Sequence, residues 1–193
     1  MFDFDIDIHI KKLSIMKKIF TAFLFLTVAF VNAQGNTNEV EKHQFKANLL
    51  LTPGIEYEVG LNKKTTLDFR LGTGLIYVKS NDEEEYGVFL TFEGAYRYYY
   101  NFEKRARKGK KTSGNSANYI ALTSLYTNLD PILGDIDIND SYLVQVGPVW
   151  GFQRTYNSGL NLGLDLGVGF ASTDDYGIIT PIVNFRLGWA FGK

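Results

Sequence analysis

Cysteine is absent from the 193 residues. That excludes disulfides, thiolate metal sites and an N-terminal lipid-bearing cysteine. Histidine is scarce: His9 and His43 are the two in the chain. Chemistry that pairs a histidine with a serine or a carboxylate therefore has little to work with. No sign of charge dominates. The formal net charge is −1 and the pI about 6.1, which leaves no global basic footprint for nucleic acid. A long hydrophobic run is also missing. The apolar stretch 19–31 has about 13 residues, short of the roughly 20 that a spanning helix needs. Mean hydropathy is only −0.10, too low for a helical membrane protein.

What the chain has instead is alternation. Residues 159–172 read GLNLGLDLGVGFAS. Leu160, Leu162, Leu164, Leu166, Val168 and Phe170 share one face of a strand, while Asn161, Gly163, Asp165, Gly167 and Gly169 share the other. Strict period two with bulky apolar residues on one side and small or polar ones on the other marks a strand between unlike surroundings. A soluble barrel turns its large apolar residues inward. Here the small face suits the inside and the leucines need a wide apolar surrounding, which is lipid. Closed β-barrels satisfy that surrounding and average to a soluble-looking hydropathy.

The same pattern recurs along the chain. Strands are predicted over residues 43–51, 54–61, 65–78, 86–100, 118–127, 141–156, 159–172 and 178–191, with turn signals at Thr52-Pro53-Gly54, Asn62-Lys63-Lys64 and Asn157-Ser158. If 43–61 were one long strand the count would be seven. Bacterial single-chain barrels have even counts, so eight is expected. The fold class is all-β: an eight-stranded antiparallel up-and-down transmembrane barrel over residues 43–193, after a polar lead-in at 34–42.

Ahead of it, Met16-Lys17-Lys18, the apolar run and Val31-Asn32-Ala33 read as a signal peptide over 16–33, cleaved before Gln34. Residues 1–15 precede the signal awkwardly, and Met16 is the expected start. The mature chain of about 160 residues suits a small barrel.

With both ends of the barrel on the periplasmic side, every connection has a place. The acidic loops fall outside the cell: 80–85 with Asp82, Glu83, Glu84 and Glu85; 128–140 with Asp130, Asp135, Asp137 and Asp140; and 172–177 with Asp174 and Asp175. The basic connection 101–117 falls in the periplasm. Aromatic residues then sort into two belts, as rings do at both membrane interfaces. Tyr77, Tyr86, Tyr126, Tyr142 and Phe170 mark one; Phe69, Tyr98, Tyr100, Phe152, Tyr156, Trp189 and Phe191 mark the other.

The last strand, IITPIVNFRLGWAF, resembles the C-terminal strand that bacterial outer-membrane proteins present to their insertion machinery. It ends in outward Trp189 and Phe191, with Gly192 and Lys193 added after the aromatic. Together with the signal and the strand pattern, it resembles a small OmpA/OmpX-like outer-membrane barrel. The stretch YRYYYNFEKRARKGKKTSGNSANYIAL (96–122) is similar to one in uncharacterised small porin-like barrels. The resemblance implies fold and outer-membrane location, and it carries no catalytic residue across.

No motif for chemistry competes with that reading. His43 sits at the start of the first strand without a serine or acid partner. Asp135 to Asp140 (DIDIND) lacks the central glycine and closing glutamate of a calcium loop. Gly72-Thr73-Gly74 and Gly167-Val168-Gly169 read as room for bulky lumen neighbours. No catalytic residue, cofactor or metal is expected. The run Lys104-Arg105-Ala106-Arg107-Lys108-Gly109-Lys110-Lys111 reads as a solvated turn; its functional alternative is contact with anionic headgroups of the inner leaflet or another envelope component.

The inward ionisable residues are Lys46, Glu56, Glu58, Asp68, Arg70, Glu93, Arg97, Asp165 and Arg186. Hairpin registers place Glu56 opposite Arg70, Arg70 opposite Glu93, Asp68 near Arg97, Lys46 near Glu58 and Asp165 opposite Arg186. Glu58 faces Asp68, an arrangement that Lys46 and Arg97 can bridge. Unlike charges at cross-strand spacing should pair, with Glu56, Arg70 and Glu93 at the centre of a network that fills the lumen. An eight-stranded barrel is just wide enough for that. The expected function is a non-enzymatic outer-membrane barrel serving envelope integrity or surface interaction. A narrow porin for small solutes is the alternative; a lipid-acting enzyme lacks its histidine dyad, and a lipocalin needs the reverse polarity. Expected partners are outer-membrane lipid, the insertion machinery and an envelope or surface component, for a monomeric chain. N-terminal sequencing of the mature protein should read from Gln34; recovery of an intact Met1 or Met16 would refute the signal.

Overall fold

In the computed structural model the chain is described over residues 39–50, 52–80 and 83–191. The upstream stretch 1–15 with His9, the signal 16–33, Gln34, Leu51, Asp82, Gly192 and Lys193 lie outside the described residues. Among the described residues nine strands follow one another: β1 (His43–Asn48), β2 (Gly54–Gly60), β3 (Thr65–Ser80), β4 (Glu83–Tyr98), β5 (Asn118–Asn128), β6 (Leu133–Gly134), β7 (Tyr142–Thr155), β8 (Leu160–Ser172) and β9 (Gly177–Phe191); a short helix, α1 (Phe102–Arg107), follows β4.

Eight of the strands close into a ring. Each pairs antiparallel with its neighbours in the order β1-β2-β3-β4-β5-β7-β8-β9, and β9 returns to β1 through Phe45↔Phe191 and Ala47↔Trp189. The chain does split at Pro53, so the even count holds. Both described ends of the chain, the 61–64 turn and α1 lie at one end of the ring, here the terminal end. The connections 129–141 and 173–176 and the described residues between β1 and β2 lie at the other.

The structure corrects two connections. Residues 80–85 were expected as a loop, yet β3 and β4 continue as a long hairpin in which Val78 pairs with Glu85 and Lys79 with Glu84. The Lys79 ammonium lies 2.5 Å from the Glu84 carboxylate, so charge alternation extends the ladder. The 128–140 loop is also partly ordered as strand: Leu133 and Gly134 (β6) pair with Val88 and Gly87.

Period two decides what faces where. On β8, Asn161, Gly163 and Asp165 are buried, while Leu162 and Leu164 lie on the outer face. Around the ring the outcome is inverted relative to a water-soluble core. Arg97, Arg186, Lys46, Glu56 and Glu58 are among the largest fully buried side chains, whereas Leu75, Val183 and Ile179 are 64–74 % exposed. The aromatic residues assigned to the two belts sit on this outer face; Tyr77, Tyr86, Tyr126 and Phe170 are exposed, as are Phe69, Tyr98, Tyr100, Tyr156, Trp189 and Phe191.

Inside, the apolar residues gather in two places. Val40, Tyr99, Phe102, Tyr119 and Val149 belong to a cluster that starts at the terminal end. Phe89, Leu129 and Ile136 form another toward the opposite end, with Ile76, Ile138 and Leu143 packed against it. The lumen is therefore not uniformly polar, as the glycine-rich face of 159–172 suggested.

The seam between β1 and β9 needs a residue without a side chain. A Cβ on Gly188 would lie 2.0 Å from the backbone oxygen of Ala47, where glycine permits close backbone approach. Gly188→Val should lower the unfolding midpoint of the refolded protein well below that of Gly74→Ala, whose added Cβ meets only a Thr91 methyl at 3.4 Å. Equal midpoints would show that the seam does not limit stability.

Candidate functional site: the charged lumen and its plug

Alternate residues of β1 to β9 bring the nine expected ionisable groups into one lumen, four cations against five carboxylates. The centre is Lys46 on β1. Its ammonium lies 2.6 Å from Glu56, 2.7 Å from Glu58 and 3.7 Å from Asp68, and it donates across the ring to Gln153 Oε1 at 2.8 Å. Arg97 bridges the same three acids, 2.9 Å from Asp68 and 3.4 Å from Glu56 and from Glu58. Glu58 and Asp68 do face each other in the register, and Lys46 and Arg97 bridge them as expected.

Glu58 accepts further hydrogen bonds from Thr66 Oγ1 at 2.7 Å and from the Tyr99 hydroxyl at 2.6 Å. Glu56, Glu58 and Asp68 are close enough together to suit a metal ion, but the position among them is taken by the Lys46 ammonium.

A second group lies beside the first. Arg70 donates to Asp68 at 3.2 Å and pairs with Glu93. Glu93 also accepts from Thr123 and from Asn184, each at 3.0 Å. Arg186 pairs with Asp165 and donates to the Tyr119 hydroxyl at 2.7 Å, and Tyr119 donates to Asp165 at 2.6 Å. The Arg97 guanidinium stacks 4.9 Å from the centre of the Tyr119 ring.

Two expected pairings need correction. Glu56 is opposite Arg70 in the register, but its carboxylate turns to Lys46 and Arg97 while Arg70 turns to Asp68 and Glu93. The network is therefore centred on Lys46 and Arg97, not on Arg70. Asp165 is opposite Asn184, and Arg186 is opposite Gly163; the pair forms on a two-residue diagonal, which a long guanidinium arm spans. Room for that arm comes from Gly163, where a Cβ would lie 2.8 Å from the Arg186 guanidinium. Trp189 and Phe191 face outward as expected, Trp189 donating to Ser158 O at 3.1 Å. His43 shares a hydrogen bond with the Tyr57 hydroxyl at 2.8 Å, neither a serine nor an acid. In the DIDIND stretch, Asp135 accepts from Tyr86 N at 3.3 Å.

The larger departure is the basic connection. Its first half forms α1, anchored by buried Phe102 against Tyr99. Lys64 holds α1 to the 61–64 turn through Glu103 at 2.7 Å; that hydrogen bond raises Lys64 and lowers Glu103 from their ordinary values. The run Lys104 to Lys111 is exposed at Lys104, Arg107, Lys108, Gly109 and Lys110, as a solvated segment should be, although its first part is helical; the residues after it turn inward. Thr112, Ser113, Asn115, Ser116 and Ala117 are buried in the terminal end of the ring.

Gly114 and Asn115 adopt φ of 63° and 54°, the left-handed region that glycine and asparagine tolerate. The resulting turn is held from three sides. Gly114 N donates to Glu41 at 2.9 Å, Asn115 Oδ1 accepts from Glu41 N at 2.8 Å, and Gly114 O accepts from Gln153 at 3.1 Å and Thr155 at 2.7 Å. The segment plugs the ring beneath the charge network. On the opposite side of the network a hollow of about 310 Å3 opens, floored by Arg70, Glu93 and Asn184 and walled by Phe89, Leu125 and Ile182.

Sequence reasoning missed Tyr99, Tyr119 and Gln153. Their parity with Arg97, Ala121 and Val149 was the available signal. The plug had no such signal, because its contacts come from Glu41, Gln153 and Thr155, distant in the chain.

Removing Lys46 should cost more than removing Arg70. Lys46→Met leaves Glu56 and Glu58 with the shared Arg97 guanidinium alone, while Asp68 keeps Arg97 and Arg70; the expected loss is about 3–5 kcal/mol for breaking one side of a buried pair. Arg70 borders the hollow, where water can replace it, so Arg70→Met should cost less. Urea unfolding of the refolded variants measures both. A larger loss for Arg70→Met would return the centre to Arg70.

Comparison with curated proteins returns no match, and comparison with solved structures returns none. A family model described as "Protein of unknown function (DUF3575)" matches residues 19–182; the chain belongs to that family.

Proposed function

We propose that the protein is a non-enzymatic outer-membrane β-barrel, OmpA/OmpX-like in build, whose lumen is closed by its own side chains and which serves envelope integrity or surface interaction. The observation that carries this is the inverted polarity of the ring. Lys46, Glu56, Glu58, Asp68, Arg97 and Arg186 are buried, while leucines, isoleucines, valines and aromatic rings cover the outside. In water such an outer face would be an apolar patch far larger than a monomer normally exposes. In lipid it is the required surface, and a closed antiparallel ring leaves no unpaired edge in the hydrocarbon.

The alternation of wide-open aromatic and aliphatic positions supports two interfacial belts. In this reading the terminal end, with α1 and the plug, faces the periplasm. The hairpin of β3 and β4 and the acidic connections face outward, where they are available to a surface partner. The plugged terminal end favours a structural or adhesive role over passage of solutes.

Fractionation and conductance test the proposal together. The protein should sediment with the outer membrane, run faster on a denaturing gel before heating than after, and give no steady conductance in planar bilayers. A steady current of porin size would replace the closed lumen with the narrow-porin reading. Recovery in the soluble periplasmic fraction would overturn the membrane reading itself.

A further inference from the structure

The wall outside β4, β5 and β7 carries two adjoining hollows of opposite character. The first, about 460 Å3, lies at the terminal end and is lined by Lys104, Arg105, Lys108, Lys110 and Arg154, with Tyr100, Asn101 and Asn118. No carboxylate lines it. None of the five cations forms an ion pair with a carboxylate of the described residues. Arg105 donates instead to the backbone oxygen of Lys111 at 2.9 Å, and Arg154 to the backbone oxygen of Ala117 at 2.8 Å and to Asn118 Oδ1 at 2.6 Å. Partial burial pulls the Arg105 guanidinium below its ordinary value with nothing acting the other way. Among the described residues most other cations are paired with carboxylates: Lys46, Arg70, Arg97 and Arg186 in the lumen, and Lys63, Lys64 and Lys79 at the surface. Here five line one hollow with no carboxylate of the described residues paired to them.

The second hollow, about 470 Å3, is a groove lined by Tyr96, Tyr98, Ile120, Leu122, Pro148 and Trp150. Neighbouring residues line the two. Tyr98, Ile120 and Trp150 are register partners across the three strands, and Asn118 and Phe152 form the next outward-facing pair toward the terminal end. At the border, Trp150 Nε1 donates to the Tyr100 hydroxyl at 2.8 Å, and Arg154 lies over the Phe152 ring at 5.2 Å. An indole, a phenol and a stacked guanidinium are groups that settle where hydrocarbon meets headgroups.

The geometry points to a binding site for one anionic phospholipid of the periplasm-facing leaflet, its phosphate on Arg105 and Arg154 within the ring of lysines and an acyl chain along Tyr98, Ile120, Leu122 and Pro148. Guanidiniums bind phosphate oxygens in a planar, two-point manner, whereas the flexible lysines add point charge. A zwitterionic headgroup would bring its own cation into a hollow that already holds five. An anionic one brings the missing counter-charge, and the groove takes the chain that a free phosphate lacks. The inference rests on the outer-membrane reading and adds to it a partner for the basic connection.

Tryptophan quenching tests it, because the chain has two tryptophans, Trp150 in the groove and Trp189 on β9 outside it. Trp189→Phe and Trp150→Phe variants isolate each in turn. Each is refolded into vesicles in which either the phosphatidylglycerol or the phosphatidylcholine carries brominated chains. Brominated phosphatidylglycerol should quench Trp150 several-fold more effectively than brominated phosphatidylcholine, and the effect should saturate at a low mole fraction. Trp189 should show no preference.

Replacing exposed Lys104, Lys108 and Lys110 together by glutamine, which leaves the strands and the plug untouched, should abolish the Trp150 preference. Equal quenching of Trp150 by both lipids, a preference that rises linearly without saturating, or a preference that survives the triple substitution would each overturn the site while leaving the membrane reading intact. If neither lipid quenches either tryptophan, the membrane reading fails, and the site with it.

Discussion

A lysine ammonium held among three carboxylates sits at the centre of the ring, and the rest of the interior follows from it. Lys46 alone would be costly to bury, and so would Glu56, Glu58 or Asp68. Together, and with Arg97 across from them, they offset most of one another's charge at 2.6–3.7 Å. Once three acids are bound to two cations, the remaining groups sort around them. Asp68 draws Arg70 to its side, Arg70 takes Glu93, and Asp165 takes Arg186. Tyr99, Tyr119, Thr66 and Gln153 supply the hydrogen bonds that the ions leave open. A network satisfied in this way rigidifies and specifies one arrangement; half-satisfied it would be worse than an apolar core.

The outside is the complement of that interior. The ring closes on itself through β1 and β9, and its wall turns apolar side chains outward. The plug then acts on both regions. Residues 112–117 close the terminal end of the lumen through Glu41, Gln153 and Thr155, and in doing so fix the course of the chain before them. Lys104, Arg105, Lys108 and Lys110 are left on the rim beside Arg154, at the border of the apolar wall. One connection thus seals the interior and presents the cationic surface outside.

The sequence by itself determined the eight strands, their facing and the nine ionisable residues that meet inside. Period two is a local backbone property: on β8 it decides that Leu164 turns out and Asp165 turns in, whatever the rest of the chain does. Hairpin geometry extends this one step, which is why Arg70 with Glu93 and the bridging of Glu58 and Asp68 were legible. Which charge takes which partner was decided by the tertiary structure. Lys46 reaches Gln153 on β7, and Arg97 on β4 reaches Glu56 on β2; neither pair shares a hairpin. Such meetings depend on the tilt and diameter of the closed ring, which sum over all eight strands and are written in no single turn. The buried Gly114-Asn115 turn and the Phe89–Ile136 packing arise in the same way. A polar loop and an acidic loop look alike in sequence whether they stay in water or fold back, because the groups that receive them lie 39 or more residues away in the plug and become neighbours only when the ring has closed.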